Sequence, residues 1–344
     1  MSVSAVIEPA EADSTHETHA LAFRIAFATA IGFTLGYVLG WDFPFLPALF
    51  AAQLLTGSRS LSLRQAVGFA ALMTAGCVFS VLIAQIFVQT PAVLLLILAL
   101  LIFFAFLLLA RGQAVPVASI LLITTSVVPL VAVSSLDLAY GLVYTLIAGS
   151  ILAALLVLLA YAVFPSRSDA SGAAKRVVEE SSPIAAALAN AAALVSLIIL
   201  FMFSGSPVSV IVIMTAITIL QQPASAGHGT AYAFIMGNVA GGVAATAAYL
   251  LVSLFPSPAV LLLVVLFFGL VFGGRISEGA ALAPVYVVAL ATFLIVLGLG
   301  LTPLTDSGAI FISRVFTVVI AAAYTIGVAS VLRALFRASK PHQQ

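Results

Sequence analysis

The chain has 344 residues, of which 64% are hydrophobic and 7% charged, with twelve lysines and arginines against eleven acids. A soluble domain covers its surface with about 25% charged residues, so a soluble globular protein is excluded and the lipid bilayer is the main solvent of this chain. A net charge of +1 gives no electrostatic case for nucleic acid as a partner, and the single cysteine, Cys77, reads as a packed bystander inside an apolar segment.

Residues 1–20 carry four acids and no lysine or arginine. They lack the basic start and small-residue cleavage site of a secretory signal, so they are expected to form a retained, disordered cytoplasmic tail. Apolar runs then follow at about 21–40, 43–57, 66–88, 91–110, 115–134 and 138–164, and again at about 184–204, 207–221, 229–254, 258–274, 280–301 and 309–335. Most approach the ~20 residues a helix needs to cross ~30 Å of hydrocarbon. The ten-residue alternation of barrel strands is absent. The expected fold class is all-α, a polytopic membrane bundle of about twelve transmembrane segments.

The break at 165–183 separates six segments from six, giving a first repeat over 21–164, a cytoplasmic linker, a second repeat over 184–335 and a cytoplasmic tail over 336–344. The hexamer "PAVLLL" opens the fourth segment of each half, at Pro91–Leu96 and Pro258–Leu263, and each of these segments ends at an arginine, Arg111 or Arg275. Matching place and flank point to duplication. Six crossings per half return the chain to the same side, so the copies are parallel repeats. With a cytoplasmic N-terminus, eleven of the twelve basic residues fall at cytoplasmic ends, as the positive-inside bias requires; Arg314 is the exception. Both termini are expected in the cytoplasm.

The second segment of each half is short, roughly 22 Å as helix. Short segments at matching places in two halves are a sequence pointer to a transporter's binding site. Gln53, Thr56 and Arg59 share one helix face, as do Thr215, Thr218 and Gln221. Each stripe either lines a substrate path or bonds helices together. Arg314, in the last segment, either meets a carboxylate substrate or snorkels to the outer headgroups. Asn190 and Asn238 read either as interhelical hydrogen-bonding residues or as ligand contacts. Glycines four apart at Gly32, Gly36 and Gly40, and at Gly237 and Gly241, allow close helix approach within the chain or in a homo-oligomer. No phosphate loop, metal motif or mid-segment carboxylate is visible, so no cofactor, metal or enzymatic activity is expected. Proton carriers would have to be edge groups such as Glu278, Asp306 or His228.

The strings "LAFRIAFATAIG", "DFPFLPAL" and "TGSRSLSLRQAVGF" resemble the fusaric acid resistance and aromatic acid exporter superfamily, over about residues 20–335 and more clearly in the first half. By that resemblance Arg24, Arg59 and Arg64 match recurrent basic positions, and a bacterial inner-membrane exporter driven by the proton motive force, acting with a periplasmic membrane-fusion protein, is implied. Full-length members carry large soluble domains that this compact chain lacks. The expectation is a secondary transporter exporting small organic or aromatic acids, the alternatives being a passive organic-anion channel and a non-transporting subunit of a fusion-protein complex.

Overall fold

A computed structural model describes residues 8–57, 62–113, 115–165, 183–202, 209–221, 227–279 and 282–301, together with Tyr324, Gly327, Val328 and Val331. The described residues form helices and no strand. In chain order these are α1 (Glu8–Val38), α2 (Leu46–Gly57), α3 (Leu63–Phe87), α4 (Pro91–Ala110), α5 (Val115–Ser134), α6 (Leu136–Val163), α7 (Pro183–Met202), α8 (Ser209–Leu220), α9 (Gly227–Leu254), α10 (Pro258–Ser277) and α11 (Ala283–Gly300). Among the described residues nine helices are long and apolar enough to cross a membrane, so the chain is a polytopic helical membrane protein. The twelfth expected segment, 309–335, lies outside the described residues apart from four helical positions, and so do most of the linker and the whole tail 336–344.

One expectation is corrected at the N-terminus. Residues 8–20 continue α1 as helix and do not form a disordered tail. Pro9 suits a first-turn position, where its missing N–H is not needed.

The "PAVLLL" copies each start a 20-residue helix with proline in its first turn; Ser257 caps α10 by accepting the Val260 N–H at 3.2 Å. α2, with 12 residues, is shorter than the sequence suggests, and α8 has 12 residues among those described.

The helices gather into two compact units, neither of which is a sequence half. The first comprises Met1–Gly68, Ala148–Ala174 and Met236–Thr305; the second comprises Phe69–Ile147, Lys175–Ile235 and Asp306–Gln344. Within the first, α1 packs along α10 and α2, while α11 packs on α10 and α2. Within the second, α7 packs along α4 and α8, while α5 packs on α4, α7 and α8. α11 and α5 are the enclosed helices of their units, each 72% buried over its apolar window.

Small residues set the spacing in the first unit. A Cβ on Gly241 would sit 2.4 Å from the Ala289 carbonyl oxygen, and one on Gly237 2.7 Å from that of Val285, so α9 lies backbone to backbone on α11. Gly36 is pressed in the same way against the Pro44 carbonyl, where the chain leaves α1 for α2, and Gly40 takes the left-handed φ of 68° that turns it.

Gly241→Ala is therefore expected to destabilise the protein by about 1–3 kcal/mol through overpacking against a backbone that cannot yield. Gly274→Ala, whose Cβ meets nothing within 4 Å, is expected to be neutral or stabilising by up to about 1 kcal/mol. Thermal unfolding of the two variants in detergent checks the contrast.

Candidate functional site

The centre of α5 holds the densest polar group in the described interior. Thr124, Thr125 and Ser126 are consecutive, fully buried and about midway along the helix. The two threonines answer their own hydroxyls: Thr124 Oγ1 donates to the Ile120 carbonyl at 3.0 Å and Thr125 Oγ1 to that of Leu121 at 2.6 Å. Ser126 Oγ is buried with no hydrogen-bond partner. Pro129 follows inside the same helix. It has no N–H to give to the carbonyl four residues back, which is that of Thr125, and its ring crowds that carbonyl.

An interrupted backbone bond and an uncommitted hydroxyl thus meet at adjacent residues of an enclosed membrane helix. A proline in a helix interior costs about 3 kcal/mol and a buried unpaired hydroxyl about 1–3 kcal/mol. Leucine at either place would avoid both, so packing alone does not call for these residues. Buried polar groups in membrane segments mark substrate and ion pathways.

The enclosed helix of the first unit is different. Its hydroxyl residue at mid-span, Thr292, donates to Asn238 Oδ1 at 2.9 Å. The next residue, Phe293, lies against Phe268 and Phe272, with ring centroids 4.9 and 6.0 Å apart. Around Phe293 that interior is filled by aromatic rings.

Arg24 is buried to 2% exposure, unlike an arginine free to attract substrate. Its Nε donates to the Phe164 carbonyl at 2.7 Å, its guanidinium lies 4.5 Å from the Tyr161 ring centroid, and Phe23 and Phe27 pack on the Phe164 ring. It fastens α1 to the end of α6. Arg64 is exposed in the first turn of α3, beside a reciprocal capping box in which Ser62 Oγ accepts the Gln65 N–H at 3.3 Å and Gln65 Oε1 accepts the Ser62 N–H at 2.9 Å.

The polar stripe of α2 does not turn into the unit. Gln53 is exposed, and the half-buried Thr56 donates its hydroxyl to the Ala52 carbonyl of its own helix at 2.8 Å. The buried face of α2 is Leu46–Ala52 with Leu55, and Phe45 just before it lies against Gly298. Arg59 lies outside the described residues, as do Arg314, Asp306 and the side chains of Thr215, Thr218 and His228. Gln221 follows α8, its N–H bonded to the Ile217 carbonyl at 3.0 Å. Asn190 Nδ2 donates to the Leu220 carbonyl at 3.3 Å, tying α7 to the last residue of α8. Glu278 pairs with Arg275 at 3.3 Å at the exposed end of α10.

A family model described as a protein of unknown function (DUF2955) matches residues 21–160, from α1 to near the end of α6, and so takes in Arg24, α2 and the centre of α5. No curated protein and no solved structure matches the chain.

Arg24→Ala is expected to lower stability by about 2–3 kcal/mol, by removing the donor to the Phe164 carbonyl and the packing of its stem. Arg24→Lys should restore only part of this, because an ammonium lacks the flat guanidinium fork. Unfolding midpoints of the two variants measure the loss.

Proposed function

We propose that this chain is a secondary transporter of the bacterial cell membrane that exports small organic acids, aromatic ones among them, with its binding station at the centre of α5. The observation that carries the reading is the run Thr124–Thr125–Ser126 followed by Pro129 on the enclosed helix of the second unit. Hydroxyls can donate to a carboxylate or phenol, and an interrupted helix offers backbone groups that a regular helix keeps to itself. The basic cytoplasmic ends suit recruitment of anions from inside. The resemblance to aromatic acid exporters supports the substrate class.

The reading includes an origin by duplication, for which the packing within each unit gives support. Shifting by six helices turns the pairs α1–α10, α1–α2, α10–α11 and α2–α11 of the first unit into α7–α4, α7–α8, α4–α5 and α8–α5 of the second. The glycine contacts follow. Gly76 of α3 faces Ile120 and Thr124 of α5, and Gly237 and Gly241 of α9 face Val288 and Thr292 of α11. Aligning Val115-Pro116-Val117 with Ala283-Pro284-Val285 places Ile120 opposite Val288 and Thr124 opposite Thr292. On this reading each unit combines the first two helices of one repeat with the fourth and fifth of the other.

Arg59 and Arg314 are assigned to the two ends of the path, at the cytoplasmic mouth and the outer exit.

A strain lacking the protein is expected to tolerate 4-hydroxybenzoate or fusaric acid less well than its parent and to expel it more slowly. Ser126→Ala and Arg59→Ala, at unchanged protein level, should each reduce efflux about tenfold, the worth of one hydrogen bond or ion contact. Equal tolerance and efflux in the deletion strain and its parent would sink the proposal. Currents that need no ion gradient in voltage-clamped bilayers would replace the carrier by a channel.

A further inference from the structure

The centre of α5 also points to the ion that couples transport. Membrane carriers hold alkali cations where a helix is interrupted, using backbone carbonyls released from the helical ladder together with neighbouring side-chain oxygens. Pro129 withholds the N–H that would occupy the Thr125 carbonyl, and Ser126 Oγ, on the adjacent residue, is fully buried and has no partner. Both are neutral oxygen donors, the ligands that hard cations prefer. Neither can take up a proton at neutral pH. The buried polar side chains among the described residues are hydroxyls, amides and Arg24, and Arg24 is engaged by Phe164 and Tyr161.

The matched place in the first unit has lost each element of such a site. Thr125 aligns with Phe293, Ser126 with Leu294 and Pro129 with Leu297, while Thr124 and Thr292 remain alike. The Phe293 ring there meets Phe268 and Phe272. Aligning the "PAVLLL" helices sets these two rings against Leu101 and Ala105 in the second unit. One enclosed helix is filled with aromatic carbon where the other carries oxygen and smaller neighbours.

We propose that the Thr125 carbonyl and Ser126 Oγ are two ligands of a sodium-ion site at the middle of α5, and that sodium entering through it drives export of the acid by exchange. This rests on the transport reading for its purpose but not for its chemistry.

Ser80 supplies an internal control. Its hydroxyl is also buried and without a partner. It lies on the α3 face between Gly76, which meets Thr124, and Ala84, which clusters with Ala132. The Thr124–Val128–Ala132 face of α5 lies roughly 200° around the helix from Ser126.

The test uses the purified full chain in detergent at constant ionic strength, with sodium chloride exchanged for choline chloride. Saturating sodium is expected to raise the unfolding midpoint by about 5 °C in the wild type and in Ser80→Ala. The shift should vanish in Ser126→Ala and in Pro129→Ala, which returns an N–H to the Thr125 carbonyl. Equal midpoints in sodium and choline for the wild type overturn the site, as does a full shift retained in both Ser126→Ala and Pro129→Ala. Flux of 4-hydroxybenzoate in proteoliposomes separates this inference from the one it builds on. Flux indifferent to sodium, in a protein that sodium does not stabilise, removes the ion site and leaves the transporter. Sodium stabilisation without any flux removes the transporter and leaves the ion site.

Discussion

Hydrocarbon offers no hydrogen-bond partner, so each polar group carried into the bilayer has to be answered from within the chain or left at a cost of several kcal/mol. Most described polar side chains at depth obey this constraint, and they do so in three ways. Threonines fold their hydroxyls back onto the preceding turn, as Thr29 does to the Ile25 carbonyl at 2.7 Å and Thr145 to that of Gly141 at 2.8 Å. Amides bridge helices, as Asn238 does by accepting from Thr292, or reach a helix end, as Asn190 does at Leu220. Arg24 takes the carbonyl of Phe164, just past the end of α6, where the last turn has no N–H to offer it. Ser126 stands out against this background because its neighbours Thr124 and Thr125 show how easily a hydroxyl on the same helix is satisfied.

The same absence of solvent explains why glycine does so much of the packing. Lipid tails are as apolar as leucine, so helices gain little by hiding leucines and much by bringing backbones together. In the first unit α10 offers Gly269 and Gly273 to Ala22, Ile25, Ala26 and Thr29 of α1, while α9 offers Gly237 and Gly241 to α11. Close seating of this kind leaves α11 enclosed and finished with phenylalanine. Stability there comes from close contact, and the mid-span hydroxyl of its enclosed helix, Thr292, is answered by Asn238.

The sequence made much of this visible, and the reasons for the rest are physical. Helix positions were legible because a run of apolar residues near the bilayer thickness has few other uses, and the "PAVLLL" copies do open α4 and α10. The bonding role of Asn190 and Asn238 was one of two readings open from their placement. The compact units could not, because periodicity says nothing about which helix of one half seats against which of the other. The stripe with Gln53 shows the limit of spacing, which defines a face of α2 without saying where that face points; Gln53 is exposed. The centre of α5 is hard to read although "TTSVVP" is plain in the chain, because single hydroxyls in membrane helices are ordinary. The signal was the offset, with proline four residues after Thr125 and three after Ser126, which puts the lost backbone bond beside the free hydroxyl.

The short helices take on a different weight once α5 is the centre. A 12-residue helix covers roughly 18 Å of a hydrocarbon layer roughly 30 Å thick. α8 packs on α5 inside the second unit, and Asn190 of α7 answers the Leu220 carbonyl at its end. Ser126 lies roughly 17 Å from the start of α5, about midway along a helix of 20 residues. On the proposed transport reading, the short α8 beside the proline-interrupted α5 is the pairing of short and interrupted helices expected near a carrier's binding site.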